Sequence, residues 1–196
     1  LCIRDSLSTG FDVSTASYDS NFSIASQEPS PQGLAFNSDG TKMFVTGGVG
    51  DAVNEYTLST GFDISTASYD SNFSVQSQDY TPNGLAFSND GTKMFVTGNT
   101  GDDINEYTLS TGFDVSTASF VDSFSVSGQE STPGGIKFNH DGTKLFMVGV
   151  AGSDINEYTL TSPFNLVNIS GEHTGDVIDT NSTSKYDTDI DVETLT

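Results

Sequence analysis

The 196 residues carry 6 basic and 27 acidic side chains, a formal charge of −21 with His neutral. A chain so poor in Lys and Arg excludes nucleic-acid binding by phosphate neutralisation and electrostatic attachment to anionic lipid. No apolar run approaches the roughly 20 residues of a membrane-spanning helix, and the single Cys2 rules out an internal disulfide framework or a zinc site built on several thiolates.

Only 34% of the residues are apolar, but 14 Phe, 7 Tyr and 20 Gly suit many short strands joined by tight turns. No basic-then-apolar leader is visible, and the first residue is Leu1 rather than Met, as removal of a targeting segment would leave it. A repeat then organises the chain. Phe11-Asp-Val-Ser-Thr-Ala-Ser17 recurs from Phe62 and from Phe113. The segments Pro31–Gly47, Pro82–Gly98 and Pro133–Gly149 match one another, as do Glu55–Leu58, Glu106–Leu109 and Glu157–Leu160. Each offset is 51 residues, without insertion or deletion.

In the middle copy, the period predicts four strands. The first is Gly84–Phe87, entered after a Pro. Asn89-Asp90-Gly91 supplies residues of positive φ for a tight hairpin. The second strand, Lys93–Val96, is apolar on successive residues, the pattern of a strand covered on both faces. The third, Ile104–Leu109, alternates, with Tyr107 and Leu109 on one face and Glu106 and Thr108 on the other. The fourth is Phe120–Val126, whose sibling places Tyr69, Ser71, Phe73 and Val75 on one side. No helical window is evident. Leu1–Leu7 aligns with a third strand, so the chain opens in mid-blade.

Four antiparallel strands per period describe the blade of a β-propeller. The fold class expected is all-β, with three tandem four-stranded blades over residues 1–163. An acidic strand-bearing arm, or the start of a further β module, follows over 164–196. The repeated Pro-x-Gly-Leu-Ala-Phe, Asp-Gly-Thr-Lys-Met-Phe-Val and Asn-Glu-Tyr-Thr-Leu-Ser-Thr elements resemble secreted bacterial propeller-like repeat proteins. They are similar to WD-repeat propellers in the Asp-Gly-Thr-Lys turn, without the Trp-Asp signature. In the tail, Ile169-Ser-Gly-Glu-His-Thr-Gly-Asp-Val177 resembles the opening of VCBS/cadherin-like modules of large bacterial surface proteins, with their acidic pair reduced to Asp179. Three blades do not close a ring with ordinary blade geometry. The resemblance therefore implies a longer parent, copies that complete each other, or an open stack. The arm is expected to dock on the last blade or on a neighbouring subunit.

Near-identical repeats argue against an active site, which needs particular residues placed unequally. The departures that bear on chemistry are Lys137, where the siblings have Ala35 and Ala86, and His140, where they have Ser38 and Asn89. A solvated turn histidine and an exposed edge lysine account for both. No catalytic, cofactor-binding or metal residue is expected. Calcium is the one cofactor weighed, because carboxylates abound. Asn89-Asp90-Gly91 is too short for a calcium loop, the Asp102-Asp103 pair is not repeated, and Asp187, Asp189 and Asp191 read as a solvated acidic edge. Sequons at Asn21, Asn72, Asn168 and Asn181 occur about as often as chance supplies them.

The expectation is a non-enzymatic extracellular or cell-surface structural and adhesive repeat protein that associates with itself through its ends, as a filament subunit. Leu1, Cys2 and Ile3 at one end, and Phe164, Val167, Ile169, Val177 and Ile178 at the other, are the assembly candidates. Partners are copies of the chain and, secondarily, glycans, without nucleic acid or membrane insertion. The alternative is a propeller module, completed by a longer parent or a homodimer, that binds carbohydrate or peptide.

Overall fold

The computed structural model of the chain describes residues 2–166 and 169–170, with side chains from residue 5 to 166. Strands β1 (Cys2–Leu7) and β2 (Ala16–Phe22) pair as a two-stranded half-blade. Three four-stranded antiparallel sheets follow. The first blade holds β3 (Pro31–Phe36), β4 (Lys42–Gly47), β5 (Ala52–Leu58) and β6 (Ala67–Ser74). The second holds β7 (Pro82–Phe87), β8 (Lys93–Gly98), β9 (Asp103–Leu109) and β10 (Ala118–Ser125). The third holds β11 (Pro133–Phe138), β12 (Lys144–Gly149), β13 (Ile155–Leu160) and β14 (Ile169–Ser170). The strands of each sheet lie in chain order, so every blade is a meander.

The cores lie between blades. In the middle strand β8, Met94 and Val96 bury against Phe44 and Val53 of the preceding blade. Phe95 on the opposite face buries against Leu145 and Met147 of the next. This two-sided burial is why the strand reads as continuously apolar. The half-blade is seated the same way, with Ile24 packed among Met43, Val45 and Tyr56. Phe36, Phe87 and Phe138, 51 residues apart, hold equivalent positions, each half-buried at the edge of its core.

Three local features depart from the sequence reading. The hairpin between β7 and β8 is longer than a two-residue turn. Ser88 N–H donates to the Lys93 carbonyl at 3.0 Å, Gly91 N–H to the Ser88 carbonyl at 2.9 Å, and only Gly91 has positive φ, +71°. Short 3-10 helices form at Val13–Thr15, Ile64–Thr66 and Val115–Thr117, where no helix was expected. Each is capped by an Asp (Asp12, Asp63, Asp114) whose carboxylate accepts the N–H two residues on. Finally, β6 carries a bulge against Glu55/Tyr56, so Tyr69 and Phe73 do not share a face. Tyr69 packs on Tyr56 of its own blade at 5.7 Å, and Phe73 packs on Tyr107 of the next at 5.5 Å.

The segment after Phe164 begins by completing the third blade. Phe164 packs on Phe138 at 5.1 Å, Leu166 is buried in the core, and β14 pairs with β13 through Ile169↔Leu160. Of the two destinations expected for the arm, residues 169–170 take the last blade.

Candidate functional site

Two features of the stack bear on function: a polar clamp that joins blade to blade, and a groove along the first strands.

The clamp grows from the alternation of β4 and β5. Lys42 and Glu55 stand on adjacent strands, and their side chains form an ion pair. The Lys42 ammonium also donates to the Phe113 carbonyl at 3.0 Å, and Glu55 accepts the Val115 N–H at 2.8 Å. Both partners belong to the loop between β9 and β10 of the next blade. The joint repeats one period later: Lys93 pairs with Glu106 at 2.7 Å, and Glu106 accepts the Leu166 N–H at 2.9 Å. The side chains of Glu55 and Glu106 are 1% and 2% exposed, so the carboxylates are buried only because a lysine and a backbone donor satisfy them. The alternation expected on the third strand is present, but on its polar face Glu106 is covered while Thr108 stays exposed.

The third copy of the clamp is open. Lys144 and Glu157 form the same pair, with side chains 43% and 48% exposed. The apolar residues around it are uncovered as well. Ile155 is 71% exposed, whereas its siblings Val53 and Ile104 are fully buried. At the opposite end, the loop of the half-blade is bare, with Val13 82% exposed and Phe11 fully so.

The two loops that enter the clamps and their sibling at Phe62 share an unusual backbone. Phe62, Phe113 and Phe164 all have positive φ, between 51° and 60°, a region unfavourable to bulky residues. The N–H of each donates to the carbonyl of a hairpin glycine in the same blade (Gly40, Gly91, Gly142) at 2.8–3.0 Å, and the ring lies over that glycine. A side chain on the glycine would collide with the ring.

A second set of carboxylates anchors the links between blades. Glu130, 1% exposed, accepts the N–H groups of Thr132, Ala151 and Gly152 at 2.7–3.0 Å. These bonds, that from Gly152 foremost, hold its carboxyl below the usual range. Asp79 anchors the preceding link in the same way, accepting from Thr81, Thr100 and Gly101. Asp103 is pushed up by burial, with Asp79 and Asp102 adding repulsion. Among the described residues, no group of three or more His, Cys, Asp or Glu is placed to hold a metal ion.

The groove follows from the packing of β3, β7 and β11 side by side. Asn83 donates to the Pro133 carbonyl at 3.2 Å and Asn89 to the His140 carbonyl at 2.7 Å, tying together adjacent first strands and the hairpins that follow them. A groove of about 720 Å³ runs across them, lined by Phe36, Phe62, Phe87 and Phe113, with Lys137 and His140 both on its wall. Lys137 and His140 thus line the same groove, which spacing alone did not reveal.

Of the assembly candidates, Cys2 and Ile3 lie on β1, Phe164 and Ile169 are committed to the third blade, and Leu1, Val167, Val177 and Ile178 lie outside the described residues. Asn21 and Asn72 are exposed on β2 and β6, while Asn168 and Asn181 lie outside the described residues, as do Asp187, Asp189 and Asp191. No described helix is long and apolar enough to cross a membrane. The clamp residues were missed from sequence; the Lys-to-Glu spacing of 13, three times repeated, was the available signal.

No family model and no curated protein matches the chain. Solved structures do. A functionally unknown protein from Desulfotomaculum acetoxidans is 15% identical, with a TM-score of 0.53 over 81% of this chain and 44% of its own. A 6-phosphogluconolactonase-like protein from Bacteroides uniformis is 13% identical, with a TM-score of 0.53 over 83% and 44%. The Cps50 β-propeller domain of Myceliophteria thermophila is 16% identical, with a TM-score of 0.48 over 65% and 37%. The chain therefore spans less than half the length of these structures. The second likeness corrects one expectation: near-identity of the blades does not mark this chain as non-enzymatic, because the same blade stack occurs in a protein described as an enzyme. At such identity the likeness is one of fold, a tandem array of β-propeller-type blades.

Proposed function

We propose that the chain is a structural and adhesive repeat module of the cell surface or extracellular space that associates with copies of itself end to end. The observation that carries this reading is the pair of open ends. Each internal blade face is covered by the next blade, whereas the outer face of the third blade presents Val148 and Ile155 to solvent. Repeat arrays must cap such faces or bury them against a neighbour. The acidic composition fits a chain kept apart at low salt and brought together when ions screen its charge. Exposed Asn21 and Asn72 are compatible with glycosylation in a secreted setting. Sedimentation velocity over a concentration and salt series tests it. Oligomers that lengthen with both are expected; a single monomeric species throughout refutes the reading.

A second reading, a binding module for carbohydrate or peptide, is favoured by one observation: Lys137 and His140 both lie on the wall of the aromatic groove. Glycan and peptide arrays test it, with binding lost in Lys137→Ala and His140→Ala.

A further inference from the structure

The inter-blade joint has two halves, a Lys–Glu clamp on one blade and a loop on the next. One unmatched half stands at each end of the described array. We propose that Lys144 and Glu157 receive the Phe11–Thr15 loop of a second copy of this chain. Glu157 accepts the Val13 N–H, and Lys144 donates to the Phe11 carbonyl. The inference rests on the self-association reading and specifies its contact.

Four observations carry it. The loop is the same peptide: Phe11-Asp-Val-Ser-Thr15 is identical to Phe113-Asp-Val-Ser-Thr117, the segment held by Lys42 and Glu55. The clamp is formed before any partner arrives, since Lys144 and Glu157 are already paired. The loop is preformed as well. Asp12 accepts the Ser14 N–H at 3.0 Å, and the Thr15 hydroxyl donates to the Asp12 carbonyl at 2.7 Å. Little ordering cost is left to oppose docking.

The fourth observation lies in what the last blade has lost. At the inner joint, Thr97 donates to the Gly134 carbonyl on the first strand of the next blade, and Ala86 packs in the core beside that strand. The third blade has Val148 and Lys137 at these positions. A half-blade brings only a third and a fourth strand, β1 and β2, and so has nothing to set opposite them. The outer face keeps the Lys–Glu pair and Ile155 and, at these two positions, lacks the groups that a first strand would meet. Front-to-back contact of this kind is heterologous and closes into a ring or propagates.

Two substitutions separate the halves. Val13→Pro removes the N–H donor and keeps the loop, because Val13 is the first residue of its helix and Asp12 is already extended at φ −102°, ψ 95°. It is read against Val13→Ala, which keeps the N–H but trims the side chain whose sibling Val115 is fully buried at the inner joint. Glu157→Ala removes the acceptor at an exposed site. Sedimentation equilibrium is expected to show each weakening self-association by about 10- to 100-fold, the loss of a charge-assisted hydrogen bond. The double variant should be no weaker than the worse single one. A mixture of the two singles, each with one intact half, should form pairs and nothing longer. Unchanged circular dichroism confirms that the blades remain folded. If both variants assemble as the parent does, the contact lies elsewhere and this inference falls while self-association stands. If the parent stays monomeric at every concentration, both fall.

Discussion

Glu55 accepts a hydrogen bond from the backbone of Val115 at 2.8 Å, across 60 residues of chain and the seam between two blades. The contact is polar, fully buried and repeated by Glu106 with Leu166. It sets which residue of one blade faces which residue of the next. Apolar packing alone specifies this register weakly, because neighbouring periods present nearly the same side chains.

The seam predicts an asymmetry between sibling residues. Glu106→Ala leaves Lys93 and the Leu166 N–H without their buried acceptor and should cost about 2–3 kcal/mol. Glu157→Ala, at the solvent-exposed copy, should change the stability of the monomer by less than about 0.5 kcal/mol. Urea titrations of both variants at low protein concentration check the contrast.

Phe95 is fully buried between the second and third blades, and Phe95→Ala is expected to destabilise by about 3–5 kcal/mol. Phe138→Ala should cost visibly less, because that ring is half-buried at the groove edge. Equal losses would show that the groove-side ring is packed as tightly as the central one.

Gly91 sits at φ +71° beneath the Phe113 ring. Gly91→Ala meets a left-handed backbone, which costs an L-residue about 1–2 kcal/mol, and a collision in addition. The expected loss in a thermal melt therefore exceeds that of any alanine placed at an open surface glycine such as Gly10, which has no neighbour within 4 Å.

Stability should fall in acid. Asp39, Asp90 and Asp141 are held below their ordinary value by Thr41, Ser88 with Thr92, and Thr143 respectively, and Glu130 by backbone N–H groups. A depressed carboxyl stabilises the fold fully above its unfolded pKa and loses that contribution as pH falls through the folded one. The melting temperature should therefore drop below about pH 4. Asp103 has the opposite sign, being raised by burial, so Asp103→Asn should blunt none of the acid loss and should raise stability at neutral pH.

The blade was legible in the sequence because its determinants are local and periodic. A rigid offset of 51 residues, an apolar central strand and an Asp-Gly turn specify four strands and their order. What escaped was conformation set by single backbone angles or by seams. The 3-10 helices are three residues long, below any periodic signal, though the Asp-x-Ser-Thr cap was present at each. The bulge in β6 moved Tyr69 off the face of Phe73, because alternation holds only while the register is unbroken. The clamps were hidden for another reason: Glu106 on an alternating strand reads as solvent-facing until the following blade is laid over it.

The packing between blades also governs how the molecule comes apart. The hydrophobic clusters join each sheet to its immediate neighbours, so the array behaves as a row of coupled units rather than as one cooperative block. Among the described residues the half-blade has two strands and packs on one blade, and it should open before the second blade does. The second blade, covered on both sides, should release its amide protons last. Hydrogen exchange would then read as a gradient of protection, lowest in β1 and β2 and highest around Met94 to Thr97. Heat and proteases would reach the half-blade well before they reach the second blade.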